Sequence, residues 1–391
     1  MDSTAAPSRI PDYYDQVDNT ILDAFAREFA RDLPPPRETV KCIITIPAHN
    51  EEAVISQLLL SLHNQKGFPE DKAVDAFYEV IIFCHKCSDK TYLRCQEFKN
   101  SANYTNFHII QSQDELINNV GAVRRILMNM AYARLADKEG YIATSDADTI
   151  LHPYYISTLN TFLNSSYDLI CGKINIQSQA DGNAHKTILL KEDYHKSRLE
   201  LEARLQMATE NPLPEHLDNS GPNLAVRARV YKEIGGLQPI GFCEDIAFYD
   251  TIKWSGYHVF HTSQLIVTTS SRKQTKVPWG FGTELEIWDK SDSISFEVES
   301  LEEILQMSKI MQLLQRSGET FTSEDLAKIQ ELTGLLDVDF NILRKTWPTS
   351  IGLYHYIRKQ LEKDAAWRKR FPKKVITEAL KELQDYVTSF K

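Results

Sequence analysis

Nowhere in its 391 residues does the chain run for about 18 apolar residues, the length a membrane-crossing helix needs. The opening, Met1 to Arg9, is polar and small and lacks the apolar stretch of a secretory signal. No G-x-G-x-x-G follows an apolar run that reads as a strand, which disfavours a dinucleotide oxidoreductase. Positive charge is in deficit: 44 Lys and Arg against 54 Asp and Glu leave a formal net charge of -10. The overall field therefore argues against nucleic acid as a partner. Cysteine is scarce as well. Cys42, Cys84, Cys87, Cys95, Cys171 and Cys243 are scattered, several within apolar runs, which suits reduced thiols in a cytoplasmic protein better than a disulfide framework. Internal repeats and low-complexity tracts are missing too.

What is present is the composition of an ordinary soluble globular protein, 42% hydrophobic and 25% charged. The length implies a core with an appendage. Residues 1–38 read as a polar leader with one amphipathic segment, Ile21 to Phe29, closed by the stiff Pro34-Pro35-Pro36. From residue 39 the texture changes. Cys42 to Ile46, Val80 to Phe83, Phe107 to Ile110 and Tyr141 to Ala143 are continuous apolar runs of strand length. Helical patterns separate them: Glu51 to Asn64 with Asn50 as its cap, one from Ser88-Asp89, and Gly121 to Leu135. That alternation predicts a mostly parallel sheet covered on both faces, with ligands beyond the carboxyl ends of its strands. Near 290–300 the alternation stops and helical patterns take over. The expected divisions are thus a leader at 1–38, a catalytic α/β domain at 39–295, and an all-helical extension at 296–391. In that extension Ser300 with Glu303, and Thr322 with Asp325, fit capping boxes.

The fourth apolar run ends in Thr144-Ser145-Asp146-Ala147-Asp148-Thr149. Two carboxylates one residue apart at a strand tip suit a hard divalent cation, Mn²⁺ or Mg²⁺, that leaves positions open for phosphate oxygens. Asp is also a common turn former, and the pair alone does not decide between the two. Other clusters bear on it. Ile46-Pro47-Ala48-His49-Asn50-Glu51-Glu52 closes the first strand. Gly121-Ala122-Val123-Arg124-Arg125 opens a helix where backbone N–H groups and guanidinium forks suit phosphate. Further on come Gly221-Pro222-Asn223-Leu224-Ala225-Val226-Arg227, then Cys243-Glu244-Asp245, then Ser270-Ser271-Arg272 leading to Gly280-Phe281-Gly282.

In this order, over roughly residues 41–288, the set resembles the inverting family 2 glycosyltransferases of GT-A fold. It is most similar to a bacterial subset reading S-T-D-A-D-T and G-x-N-L-A-V-R. The resemblance implies a nucleoside-diphosphate sugar donor and a hexosyl-type transfer to an acceptor hydroxyl. Asp148 would ligate the cation, with Asp146 holding the ribose or sharing the metal. Asp245 would be the base, and Glu244 its support or the acceptor's guide. Pro47, His49, Asn50, Glu51, His85, Asp89, Gly121, Arg125 and Arg272 would line the donor site, with Arg272 favoured over Arg125 for the diphosphate. One departure stands out: Cys84 and His85 occupy the places of the acidic pair that reads the base in many members, although Asp89 and Thr91 still match.

Each cluster also has a plainer reading. Cys84, His85, Cys87 and Cys95 could suggest zinc, but no second C-x-x-C pair follows, and buried thiols with a loop histidine account for them. Glu51 and Glu52 could serve a helix dipole, Glu244 and Asp245 could be simple capping residues, and Arg124 and Arg125 a solvated face. Trp367-Arg368-Lys369-Arg370-Phe371-Pro372-Lys373-Lys374 could touch an anionic membrane peripherally or form a solvated helix junction. Tyr154, Tyr155, Trp279 and Trp288 could stack on sugars or pack in a core. A glycan, lipid or small-molecule acceptor and a homodimer both stay open. The other function classes are a noncatalytic nucleotide-sugar-binding protein of the same fold and a metal-dependent nucleotidyl or phosphoryl enzyme. The nucleotidyltransferase version of the second should carry a glycine-rich loop where Pro47-Ala48-His49-Asn50 stands.

Overall fold

The computed structural model describes residues 18–68, 76–102, 105–177, 183–205, 214–272, 286–288, 296–318 and 320–389. Its strands are β1 (Cys42–Ala48), β2 (Tyr78–His85), β3 (Phe107–Ser112), β4 (Tyr141–Thr144), β5 (Ile150–Leu151), β6 (Leu169–Ile176), β7 (Leu224–Arg227), β8 (Val259–Thr269), β9 (Glu297–Val298) and β10 (Lys374–Val375). The first helices are α1 (Asn19–Arg31), α2 (Ile55–His63), α3 (Thr91–Ser101), α4 (Val120–Arg134), α5 (Tyr155–Thr161), α6 (Asn183–Arg204), α7 (Ala228–Glu233) and α8 (Glu244–Trp254). They continue as α9 (Leu301–Arg316), α10 (Ser323–Thr333), α11 (Phe340–Thr346), α12 (Ser350–Lys363), α13 (Ala365–Arg370) and α14 (Ile376–Ser389).

β1 to β8 form one sheet in the order β3-β2-β1-β4-β7-β6-β8-β5. β3, β2, β1 and β4 are mutually parallel, and β6 and β8 are parallel to each other. β7 runs antiparallel to both β4 and β6, so β6 and β8 share the direction of β1. The expected mixed, mostly parallel sheet flanked by helices is what the chain forms. Strand residues alternate between two cores, as a period of two requires. Ile43, Ile81, Phe83 and Ile142 face the layer holding α1, α4 and α8, while Ile44, Ile46, Val80 and Ala143 face the layer holding α2 and α5.

Two helix starts depart from the expected capping. Residues 51–54 form a turn, and α2 begins only at Ile55 with no side-chain cap. Asn50 instead adopts a left-handed backbone (φ 52°), and its Oδ1 accepts from the Ser88 N–H (2.8 Å) and the Asp89 N–H (3.3 Å). It ties the first site loop to the second rather than capping its own helix. Ser300 does cap α9 by accepting from the Glu303 N–H, but the Glu303 carboxylate turns inward to Trp367 Nε1 and Arg368. Thr322 and Asp325 form the full capping box.

The polar leader contains α1, whose Leu22 and Ala26 are buried in the core shared with α4. At the other end, Glu297–Val298 pairs with Lys374–Val375, and the C-terminal helices share their cores with α6 and α8. Tyr194 and Leu201 of α6 and Trp254 of α8 are buried among them, so the helical region is fastened to the sheet layer by two of its own helices.

Candidate active site

The strand directions decide which loops meet. The loops after β1, β2, β4 and β8 all leave the same edge of the sheet. Because β7 runs the other way, with Thr144 opposite Leu224, the turn Gly221–Asn223 that precedes it lies at that edge too. Among the described residues three non-glycine residues take a positive φ: Asn50 and Lys86 in the loops after β1 and β2, and Cys243 immediately before α8. Backbone strain of this kind clusters at working sites.

Asp148 is held from the β8 end. Its carboxylate accepts from Ser270 Oγ (2.6 Å) and from Arg272 Nη2 (2.8 Å). The same Arg272 makes a two-pronged bond to Glu51, at 2.7 and 3.1 Å. Arg272, Asp148 and Glu51 thus form one ion-pair cluster across three loops, with the guanidinium partly open to solvent. Asp146 points elsewhere, to Arg124 Nη2 at 2.5 Å. Burial is the largest influence on Asp146 and, with the neighbouring Asp148 and Asp245 charges, raises its pKa against the pull of Arg124.

Arg124 also reaches the second acidic motif, its Nε donating to Glu244 Oε1 at 2.8 Å. Glu244 is buried at the start of α8, and burial first, then the Asp245 charge, raises its pKa despite Arg124. Asp245 is less buried; its Oδ2 accepts from the Gly221 N–H (2.6 Å) and its Oδ1 from the Ile246 N–H (2.8 Å). An added Cβ at Gly221 would lie 2.4 Å from Arg124 Nη2, so a larger residue there would displace the guanidinium.

The remaining candidates sort into loop-fastening and distant groups. His49 Nδ1 lies 3.0 Å from the His85 carbonyl, and His85 Nε2 lies 2.6 Å from the Ile117 carbonyl, with burial lowering the His85 pKa. Asp89 accepts from the Glu52 N–H and from the Thr91 backbone and hydroxyl. Pro47 falls within β1, beyond the last β1–β4 pair at Thr45↔Thr144. Two of the candidates stand in packing roles. Arg125, a residue and thus about 100° around the helix from Arg124, bonds Asp23 of α1 and the carbonyls of Gly235 and Leu237. Gly121 is overlaid by the Pro239–Ile240 backbone, with an added Cβ only 2.3 Å from the Ile240 carbonyl oxygen, while Asn119 caps the helix. The N-terminus of α4 is therefore closed by protein.

Several other groups turn out to be scaffold. Asn223 accepts from Tyr155 Oη and donates to the carbonyls of Lys173 and Leu265. Arg227 is buried among the carbonyls of Tyr167, Glu139 and Ser165. The Cys87 thiol donates to the Ala48 carbonyl at 3.5 Å. In the late basic cluster Trp367 and Phe371 are buried, Arg368 pairs with Glu303 and Lys374 with Glu382. Tyr154 is exposed, Trp288 lies under Lys191 Nζ, and Trp279, Gly280 and Gly282 lie outside the described residues. A cleft of about 670 Å³ between α6 and α14, lined by Asp193, Ser197 and Gln384, belongs to the helical region rather than to this sheet edge.

The donor set suits a hard cation. Asp148 and Asp146 offer oxygen alone, and among the described residues no three His, Cys, Asp or Glu side chains assemble into a closed cage. One or two carboxylates completed by phosphate oxygens is the usual holding of Mg²⁺ and Mn²⁺. No described helix is long and apolar enough to cross a membrane.

Residues 43–235, about half of the chain, match the family model described as Glycosyl transferase family 2. A curated relative, the "Probable glycosyltransferase YdaM" of Bacillus subtilis, is 24% identical over 262 residues, 64% of this chain and 56% of that protein. The chain thus spans about half the length of that relative. Among solved structures, the mannosyltransferase PcManGT from Pyrobaculum calidifontis in complex with GDP-Man and Mn2+ overlaps at TM-score 0.43, with 12% identity, 94% of this chain and 95% of the other. S. aureus TarS 1-349 in complex with UDP-GlcNAc overlaps at TM-score 0.44, with 14% identity, 83% of this chain and 92% of the other. Overlaps this loose do not carry the fold, which rests on the strand order itself.

Proposed function

We propose that this chain, a family 2 glycosyltransferase across residues 43–235, moves a sugar from a nucleoside diphosphate to an acceptor hydroxyl with inversion. The observation that carries the proposal is the contact of one side chain, Arg124, with both acidic motifs: Asp146 at the β4 tip and Glu244 at the start of α8. Residues far apart in sequence become the two halves of one site. A transfer centre needs both, a place for the departing diphosphate and a base for the incoming hydroxyl.

Asp245 is the base in this reading. It takes the proton from the acceptor oxygen as that oxygen bonds to the anomeric carbon, and the carbon–diphosphate bond breaks with its electron pair leaving on the phosphate oxygen. The two N–H donors on its carboxylate, from Gly221 and Ile246, fix its orientation. A single displacement needs one base, in contrast to the paired carboxylates of glycoside hydrolysis. Asp148, with Asp146 nearby, would hold a divalent cation, which when bound neutralises charge on the departing diphosphate. Arg272 stands beside Asp148 and is partly open to solvent, placed to pair with a phosphate oxygen when one arrives. Asn50 and Asp89 bind the β1 and β2 loops together as a floor for the nucleotide.

The Asp245→Asn variant separates an enzyme from a binding protein of the same fold. With a cognate donor and acceptor it should lose at least about 10²-fold in transfer rate while binding nucleotide as before. Full transfer by that variant would remove the base assignment.

A further inference from the structure

Arg124 is an expensive residue for the place it occupies. Its side chain is buried, it draws together Asp146 and Glu244, and its third nitrogen, Nη1, is buried with no hydrogen bond among the described residues. A buried N–H left unpaired is destabilising, and buried ion pairs are often no more stabilising than apolar side chains of the same volume. Stability alone gives little reason to keep an arginine there. Geometry gives a better one. A planar fork with separate nitrogens bonds two carboxylates from different loops in a fixed mutual geometry, which a freely rotating ammonium does not impose. Gly221 lies against the same guanidinium and donates its N–H to Asp245. One side chain therefore touches the donor carboxylate, the acceptor-side carboxylate and the backbone that aims the base.

We propose that Arg124 is a positioning residue that couples the two halves of the site, so that the state of the acceptor side, read at Glu244, sets the alignment of Asp146 on the donor side. This rests on the glycosyl-transfer reading above. Its consequence is that a change at Glu244, on the acceptor side, alters affinity for a nucleotide, and does so only through Arg124.

A double-mutant cycle tests this with UDP and GDP as probes, titrated calorimetrically in saturating Mn²⁺. In the otherwise unaltered protein, Glu244→Gln removes the charge that holds Arg124 on the acceptor side and should weaken binding of the preferred nucleotide by about five-fold or more. In an Arg124→Gln background the same Glu244→Gln change should shift affinity less than about two-fold. Equal shifts in both backgrounds, or none in either, would overturn the coupling and leave Arg124 a structural residue. Should Arg124→Gln fail to fold by circular dichroism, Arg124→Lys takes its place. It keeps the charge but not the fork, so the same loss of coupling is expected, and retained coupling overturns the proposal. If the unaltered protein binds neither nucleotide, the transfer reading falls and this inference falls with it, a failure visible before any variant is made.

Discussion

Single side chains decide what this site can do, and adjacent residues divide the work. Arg124 and Arg125 sit side by side on α4, yet one links the acidic motifs and the other anchors α1 through Asp23. The prediction is a clean split: Arg125→Gln should cost about 1–3 kcal/mol of stability by losing buried charge-assisted bonds, read as a lower denaturant midpoint, with nucleotide affinity unchanged. A matching loss of affinity would place Arg125 in the site after all. The sequence does not tell the two apart, for a physical reason. α4 is buried on nearly every side, so no polar stripe marks which face meets the site. Within Ser270-Ser271-Arg272 the sequence likewise does not show which hydroxyl meets Asp148, because two adjacent serines at a strand end are alike; it is Ser270.

Elements here are joined by buried ion pairs that make the fold sensitive to acid. Glu79 of β2 is clamped by Arg134 of α4 at 2.7 and 3.1 Å, beside His108. Burial alone would raise its pKa, but the bonds to His108 and Arg134 win and pull it down to about 2. Glu299, just before α9, is likewise pulled down to about 2, against burial, by Arg198 of α6, Arg358 of α12 and Arg368. A carboxylate with a depressed folded pKa contributes stability that is fully present above its ordinary value near 4.5 and is lost as pH falls toward 2. In urea unfolding the share of stability that these two clamps supply should therefore hold steady from pH 7 to about 5 and fall steeply below it. Arg134→Met should flatten that fall; an unchanged profile would mean the clamp contributes nothing. The first four strands and α4 could be read ahead of the structure because continuous apolar runs and helical spacing are local signals. β6, β7 and β8 were harder, since β7 is only four residues long and β8 mixes polar residues into its run. Gly121 shows the limit in the other direction: a glycine at a helix start suggests room for phosphate, whereas this one makes room for the Pro239–Ile240 backbone.

At the scale of the whole molecule, the reversed strand β7 brings the pieces together. It returns the chain to the edge where β1, β2, β4 and β8 end, and so places the turn before it beside the Asp pair. Net negative charge makes this edge a poor anion site by overall field. Local cations have to do the recruiting. Asp148 and Arg272 pair with each other here, so in the proposed site a cation and a diphosphate would divide between them a pair that is balanced in their absence.

The central claim is that Asp148 and Asp245 serve one transfer site, with the nucleotide diphosphate held at Asp148 through a divalent cation. Calorimetric binding of UDP and GDP, with and without Mn²⁺, to the unaltered protein and to Asp148→Ala tests it most directly. The account predicts that one of the two nucleotides binds only when Mn²⁺ is present, and that Asp148→Ala weakens this binding at least about ten-fold, the loss common on altering a metal site. Binding that ignores Mn²⁺, or that survives Asp148→Ala undiminished, would contradict it.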